Sequence, residues 1–315
     1  MVCGYPATTP GMASPVIGSA TARRQLTPFE PLVRAIESAS PLDSVAKPLA
    51  KQVRGLLSGP INSVLAGTWL GHSVHPMLTD VVIGSFTSAS LLDLLTGEDG
   101  AEASERLIML GIAAYGPTAL TGINDWADTE PVSDGVRRAG LVHASGNLVA
   151  LSLYTASLVA RRRGARGRGV AYGAAGAAVL MVGGYLGGHL SMTRAVGPNQ
   201  TAFDEGSTEW TPAADAAQLS ERQPTRVVVD ETPVLLVRDN ERIFAIHDRC
   251  SHRGCSLSQG ELEGEQIVCA CHGSRFDLKD GSVKGGPASA PQPAFQVRDR
   301  DGVIEVRRLA PESVS

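Results

Sequence analysis

The sequence predicts a multidomain α plus β chain: an N-terminal four-helix transmembrane bundle followed by a small all-β antiparallel sandwich. Three observations carry this prediction. Nearly all long uncharged runs lie between residues 77 and 190. From 204 to 310, short apolar runs alternate with charged residues and turn signals. Four of the five cysteines fall between 250 and 271, and such clustering marks a site and not a distributed disulfide framework. The net charge of −4 argues against a nucleic-acid partner, which would call for a basic stripe.

Residues 1–27, rich in Ala, Thr, Pro and Gly, read as a disordered N-terminus without a secretory signal. The Arg23-Arg24 pair is not followed by the apolar segment of a twin-arginine signal. Residues 28–70 read as short amphipathic helices broken by prolines. Leu32, Ala35 and Ile36, then Val45, Leu49 and Val53, recur at helical spacing. These helices either lie on the bilayer surface or pack on the spans.

The membrane domain is predicted over 71–192, with spans at about 77–95, 107–124, 139–160 and 169–188. The last three run 18 or more residues without a charge, close to the roughly 20 a bilayer-crossing helix needs. The first is weaker, because Asp80 and Asp93 leave only twelve uncharged residues between them. Gly183, Gly184, Gly187 and Gly188 allow close approach of helix backbones in lipid. Five arginines in 160–169 place that loop in the cytoplasm and the C-terminal domain outside, as expected for a multi-pass protein of a bacterial-type cell membrane. Lys47, Lys51 and Arg54 count against this orientation.

A linker, 193–207, leads to the second domain at 208–309, and 310–315 is a short tail. TRVVV, PVLLVR, RIFAI, QIVCA and AFQVRDRDGVIEVRR read as strands, the last with an Asp-Gly hairpin turn.

Between these strands stands CSHRGCSLSQGELEGEQIVCACHGSRFD, residues 250–277. Cys250 and His252 form one Cys-x-His pair; Cys269 and His272 form a Cys-x-x-His pair. Two Cys and two His also make a structural zinc set, but zinc sites favour two to four residues between the first two ligands, and fingers carry their histidines on a helix. Here both pairs sit in glycine-containing loops. Two loops that each offer one thiolate and one imidazole suit a [2Fe–2S] cluster with both histidines on one iron.

The stretch resembles the Rieske iron–sulfur domain. That resemblance implies an iron–sulfur-protein sandwich fold, one [2Fe–2S] cluster held by Cys250, His252, Cys269 and His272, and single-electron transfer. Neutral imidazoles in place of two thiolates ease reduction, giving potentials of about −150 to +300 mV against about −400 mV for plant-type ferredoxins. Respiratory relatives carry a disulfide at the positions of Cys255 and Cys271; two buried thiols are the other reading. Gly254 and Gly273 match the glycines flanking the ligands. Gly285, Gly286 and Pro287 resemble the loop that covers the cluster, and also read as an ordinary turn. The matching serine of the respiratory relatives, Ser274 here, donates a hydrogen bond to cluster sulfur. Their tyrosine is replaced by Phe276, and Arg253 stands where quinol-oxidising relatives have an apolar residue. A Rieske oxygenase is a poor fit, since only 43 residues follow His272 and a mononuclear iron needs a further domain.

The helical half resembles an uncharacterised bacterial four-helix membrane domain with His-Pro before span one and GGHL closing span four. His72, His75, His143 and His189 fall on one membrane face. They read as interfacial histidines bonding helix ends, or as a haem, metal or quinone site coupled to the cluster. The expected protein is therefore a membrane-anchored Rieske electron-transfer component exchanging electrons with a redox protein, quinone or haem partner in the bilayer. The alternative is a membrane oxidoreductase whose bundle itself holds haem or quinone.

Overall fold

The computed structural model describes residues 28–309; the expected disordered N-terminus and the 310–315 tail lie outside the described residues. Three short helices come first: α1 (Glu30–Ser38), α2 (Asp43–Leu56) and α3 (Pro60–Ala66). Pro31 and Pro60 sit in the first turns of α1 and α3, where a missing N–H is harmless. Pro41 likewise lies in the turn between α1 and α2, so prolines mark the breaks as the sequence suggests, except for Pro48, which lies inside α2. All three pack on the long helices that follow: α1 against residues 134–162, α2 against 101–129 and 134–162, and α3 against 74–95 and 101–129.

The long helices are α4 (Val74–Leu95), α5 (Ala101–Thr129), α6 (Asp134–Arg162) and α7 (Arg166–Gly188). Together with their flanking turns, all four are long and apolar enough to cross a bilayer. They pack around a ring, α4 against α5, α5 against α6, α6 against α7 and α7 against α4. At its centre Phe86 and Tyr154 stack with centroids 3.9 Å apart. Glycine makes room on each side: a Cβ on Gly111 would lie 2.5 Å from the Phe86 ring, and one on Gly176 3.0 Å from Tyr154. Asp93, which weakens the first span in the sequence, is buried against Arg161, with Arg166 3.5 Å away. A charge inside an apolar helix is tolerated when it is paired.

The second domain holds ten strands in two antiparallel sheets. The larger sheet contains β1 (Thr211–Asp215), β2 (Thr225–Val229), β3 (Thr232–Asp239), β4 (Arg242–His247), β9 (Ala294–Arg300) and β10 (Val303–Arg308), ordered β1-β10-β9-β4-β3-β2. The smaller runs β5 (Glu261–Glu263), β6 (Gln266–Val268), β7 (Arg275–Asp277), β8 (Val283–Gly285) in sequence order. Strand β3 shows why PVLLV, residues 233–237, is apolar throughout. Leu235 and Val237 face one core with Ile246, Ile267 and Phe276, while Val234 and Leu236 face another with Ile304 and Val306. A strand buried on both faces loses its polar alternation. The first of these cores also contains Cys250 and Cys269.

Candidate metal centre

Two loops built alike carry the conspicuous residues. In the first, after β4, the Cys250 amide donates to Cys255 O at 2.7 Å and the Gly254 amide to Cys250 O at 2.8 Å. In the second, between β6 and β7, the Cys269 amide donates to Ser274 O at 2.8 Å and the Gly273 amide to Cys269 O at 2.9 Å. Each turn closes through a residue in the left-handed region, Gly254 at φ 75° and Gly273 at φ 73°, which glycine adopts without penalty. The disulfide between Cys255 and Cys271 bridges the two loops, so the second reading, two buried thiols, is set aside.

Cys250 and Cys269 are free and buried, 1% and 2% exposed. Their side chains hydrogen-bond one another, which pushes the Cys250 thiol up and draws Cys269 down. On the outer side His252 and His272 stand edge to face, with ring centroids 5.1 Å apart. Burial, then the neighbouring His272 and Arg253, lowers His252 to about 3; burial, then Arg253 and Arg54, lowers His272 to about 4. Both imidazoles are therefore neutral at pH 7, the state that binds metal. Nδ1 of His252 is buried without a hydrogen-bond partner. Sulfur atoms of Cys255, Cys269 and Cys271 also approach within 4.8 Å, but two of those three are spent in the disulfide.

A third loop, between β8 and β9, lies over the second. Pro287 is buried in it, and a Cβ on Gly286 would meet Gly273 O at 2.6 Å. The Ala288 amide donates to Ser274 Oγ at 3.2 Å, leaving the hydroxyl proton free to point elsewhere.

The four histidines of the helical half part company. His72 is exposed. His189 faces Glu37 through Nε2 at 2.9 Å, so the ring is engaged by a carboxylate. His75 Nδ1 donates to Thr118 O at 3.0 Å, and His143 Nδ1 to Gly183 O at 2.9 Å. Their rings rest on Gly122 and Gly187, respectively, and His143 Nε2 accepts from Asn147 Nδ2 at 3.1 Å.

A two-sheet head presenting paired Cys-His loops, joined to four helices long and apolar enough to cross a bilayer, has the build of an iron–sulfur domain fused to a helical one. Residues 209–296 match the Rieske [2Fe-2S] domain, and residues 71–200 match a family described as Predicted membrane protein (DUF2231). The head is 32% identical over 98 residues to the anthranilate 1,2-dioxygenase ferredoxin subunit of Burkholderia cepacia, covering 31% of this chain and 91% of that protein. It is 30% identical over 105 residues to sulredoxin of Sulfurisphaera tokodaii, covering 31% and 96%. Against the cytochrome b6-f complex iron-sulfur subunit 2 of Nostoc it is 34% identical over 92 residues, covering 27% of this chain and 51%, about half, of that subunit. The chain belongs to the Rieske [2Fe–2S] family through its C-terminal domain, and the match to the predicted membrane protein family covers the helical domain before it, residues 71–200.

The residues present fit the family's cluster. Two buried thiols and two neutral imidazoles converge from two loops, and the orphaned His252 Nδ1 is a lone pair waiting for a Lewis acid.

Beyond these loops the structure brings in Ser63, Thr68, Ala195 and Gln200, which the sequence did not flag. The Ser63 hydroxyl accepts from the Gly286 amide at 3.0 Å, and Thr68 Oγ1 donates to Gly286 O at 2.8 Å and Ala288 O at 3.1 Å. Arg253 donates to Ala195 O at 2.6 Å, and the Gln200 amide to Ser251 O at 2.9 Å. Nothing local marks Ser63 or Thr68, since their partners lie more than two hundred positions along the chain.

Proposed function

We propose that the protein is a membrane-anchored Rieske electron-transfer component, with Cys250, His252, Cys269 and His272 as ligands of one [2Fe–2S] cluster. The observation that carries this reading is the pairing of thiols beneath and imidazoles above, in two loops of identical hydrogen-bond pattern joined by a disulfide. Bound there, the cluster supplies a one-electron couple. The protein's own residues do the rest. Pro287 and Gly286 cover the site, the disulfide holds its two walls together, and Ser274 offers a hydroxyl to a cluster sulfur. The histidines, outermost in the pair of loops, give the electron its way in and out. Four apolar helices tether the head to a bilayer, where a redox protein or lipophilic cofactor is the partner.

The head lies on the non-cytoplasmic side in this reading, supported by the arginine-rich 160–169 loop and by a disulfide suited to an oxidising compartment. Electron paramagnetic resonance of the dithionite-reduced full-length protein tests the core assignment. A Rieske signal that disappears in His252→Ala and His272→Ala supports it; its absence from the wild type overturns it. Protease protection of the head in inside-out vesicles tests the sidedness.

A second reading follows His75 and His143. With its Nδ1–H tied to Thr118 O, His75 keeps Nε2 as the lone-pair nitrogen a haem or metal ligand requires, whereas Nε2 of His143 accepts from Asn147 Nδ2 at 3.1 Å and would give up that bond to ligate. His189, engaged by Glu37, and exposed His72 are less suited. A Soret band in purified protein that is lost in His143→Ala favours this oxidoreductase reading.

A further inference from the structure

The head is bonded to the helical domain at the loops that surround the ligands. The third loop is held by α3 and the turn after it. Its Gly286 is gripped on both sides of one residue, amide to Ser63 Oγ and carbonyl to Thr68 Oγ1. Thr68 reaches two residues further to the carbonyl of Ala288, whose amide in turn donates to Ser274. The first ligand loop is held from the linker, by Ala195 and Gln200. The α3 side of the grip is itself rigid. Gly67, at φ 86°, makes the sharp turn that aims Thr68, and a Cβ there would lie 2.0 Å from His72 O. On the opposite face of the loop, Gly286 presses against Gly273 and Ser274, the residues following His272. An unbroken chain of contacts thus runs from two hydroxyls of the helical domain to the hydroxyl beside the ligands.

We propose that Ser63 and Thr68 are positioning residues for the cluster. Acting through Gly286 and Ala288, they hold Ser274 in place, so that the helical domain sets the potential of the metal centre besides carrying it. This rests on the ligand set proposed above. A hydrogen bond to cluster sulfur favours the reduced state only while its donor is held at bonding distance. A loop seated on Gly273 and Ser274 on one face and bonded to the helical domain on the other holds it there.

The test uses full-length protein in nanodiscs, with Thr68→Val, Ser63→Ala, Ser274→Ala and their combinations, and Thr68→Ser as the conservative control. Two readouts are taken: the midpoint potential of the Rieske signal, and amide hydrogen exchange across residues 283–290. Thr68→Val lowers the midpoint in the same direction as Ser274→Ala and by less, and Thr68→Ser restores it. In the Ser274→Ala background, Thr68→Val shifts the midpoint no further, because the contact it works through is gone. Exchange at Gly286 rises about fivefold or more in Ser63→Ala, the loss of one net hydrogen bond. An unchanged midpoint in the Ser63→Ala, Thr68→Val double variant overturns the proposal. So does a Thr68→Val shift that persists in full without Ser274, or wild-type exchange at Gly286 as fast as in an open loop. The exchange measurement needs no cluster, so failure of the ligand assignment shows as a missing resonance signal and is told apart from failure of the clamp.

Discussion

Cys255 and Cys271 are joined across the two loops whose other cysteines, Cys250 and Cys269, stay free and buried. One pair of sulfurs is thereby withdrawn from metal chemistry while the other is brought together for it. The bridge spans a sequence separation of 16, and closing a loop of that size removes about 3 kcal/mol of unfolded-chain entropy.

Replacing both bridge cysteines with serine therefore lowers the unfolding free energy of the head by about 3 kcal/mol. Thermal unfolding followed by the visible absorption of the cluster is the measurement. The variant binds its cluster and loses it at a lower temperature, whereas single substitutions at Cys250 or Cys269 abolish it.

Asp93 and Arg161 form a pair whose side chains are 5% and 4% exposed, with Ser157 and Arg166 completing the group. Asp93→Ala leaves the Arg161 charge uncompensated inside the bundle and costs about 3–5 kcal/mol. Replacing both by leucine is nearly neutral, because neither charge then remains buried. Unfolding in detergent, monitored by far-ultraviolet circular dichroism, distinguishes the two.

His247 is fully buried, accepts the Arg249 amide at Nδ1 and faces Asp204 through Nε2 at 3.2 Å. Burial lowers its pKa, and the nearby Asp204 and Asp248 only partly offset this. The unfolded chain therefore takes up the proton more readily than the folded one. Stability contributed by His247 is complete above its unfolded pKa of about 6.5 and is lost as pH falls from there toward the lower folded value. The melting temperature of the head falls between pH 7.5 and pH 5.5, and His247→Asn makes that fall shallower.

At Gly286 the backbone has φ 82°, and a new Cβ would meet Gly273 O and the Ser274 Cα at 2.6 and 2.7 Å. Gly286→Ala displaces the covering loop, with a cost of roughly 1–3 kcal/mol from the backbone conformation alone. Cluster content per chain, measured by iron and acid-labile sulfide, drops. Gly264→Ala, also at positive φ but with open space around its Cβ, keeps its cluster.

The fold was readable where local pattern carries the physics. Long uncharged runs marked the bundle, and an Asp301-Gly302 turn between alternating runs marked the β9–β10 hairpin. The paired Cys-His loops stood out because each needs its own cysteine, histidine and left-handed glycine within a few residues. What could not be read depends on distance along the chain. Asp93 looked like a flaw in a span because Arg161 is 68 positions away. The helical spacing of Val45, Leu49 and Val53 runs through Pro48, and so does α2, which packs on α5 and α6. His189 was grouped with His75 and His143 by membrane face alone, and Glu37, 152 positions earlier, decides where its ring points. Ser63 and Thr68 had no local signature at all.

The larger sheet of the head curls until its outermost strands, β1 and β2, touch. Strand β1 carries Pro212 and an irregularity in its register, and Trp210 just before it is flanked by Arg298 and Arg307 at 4.3 and 4.6 Å. Proline, a bulge and charge are the devices that stop an exposed strand from recruiting another. Strand addition by a second copy of the head is disfavoured at an edge built this way, so close neighbours meet without sharing a sheet.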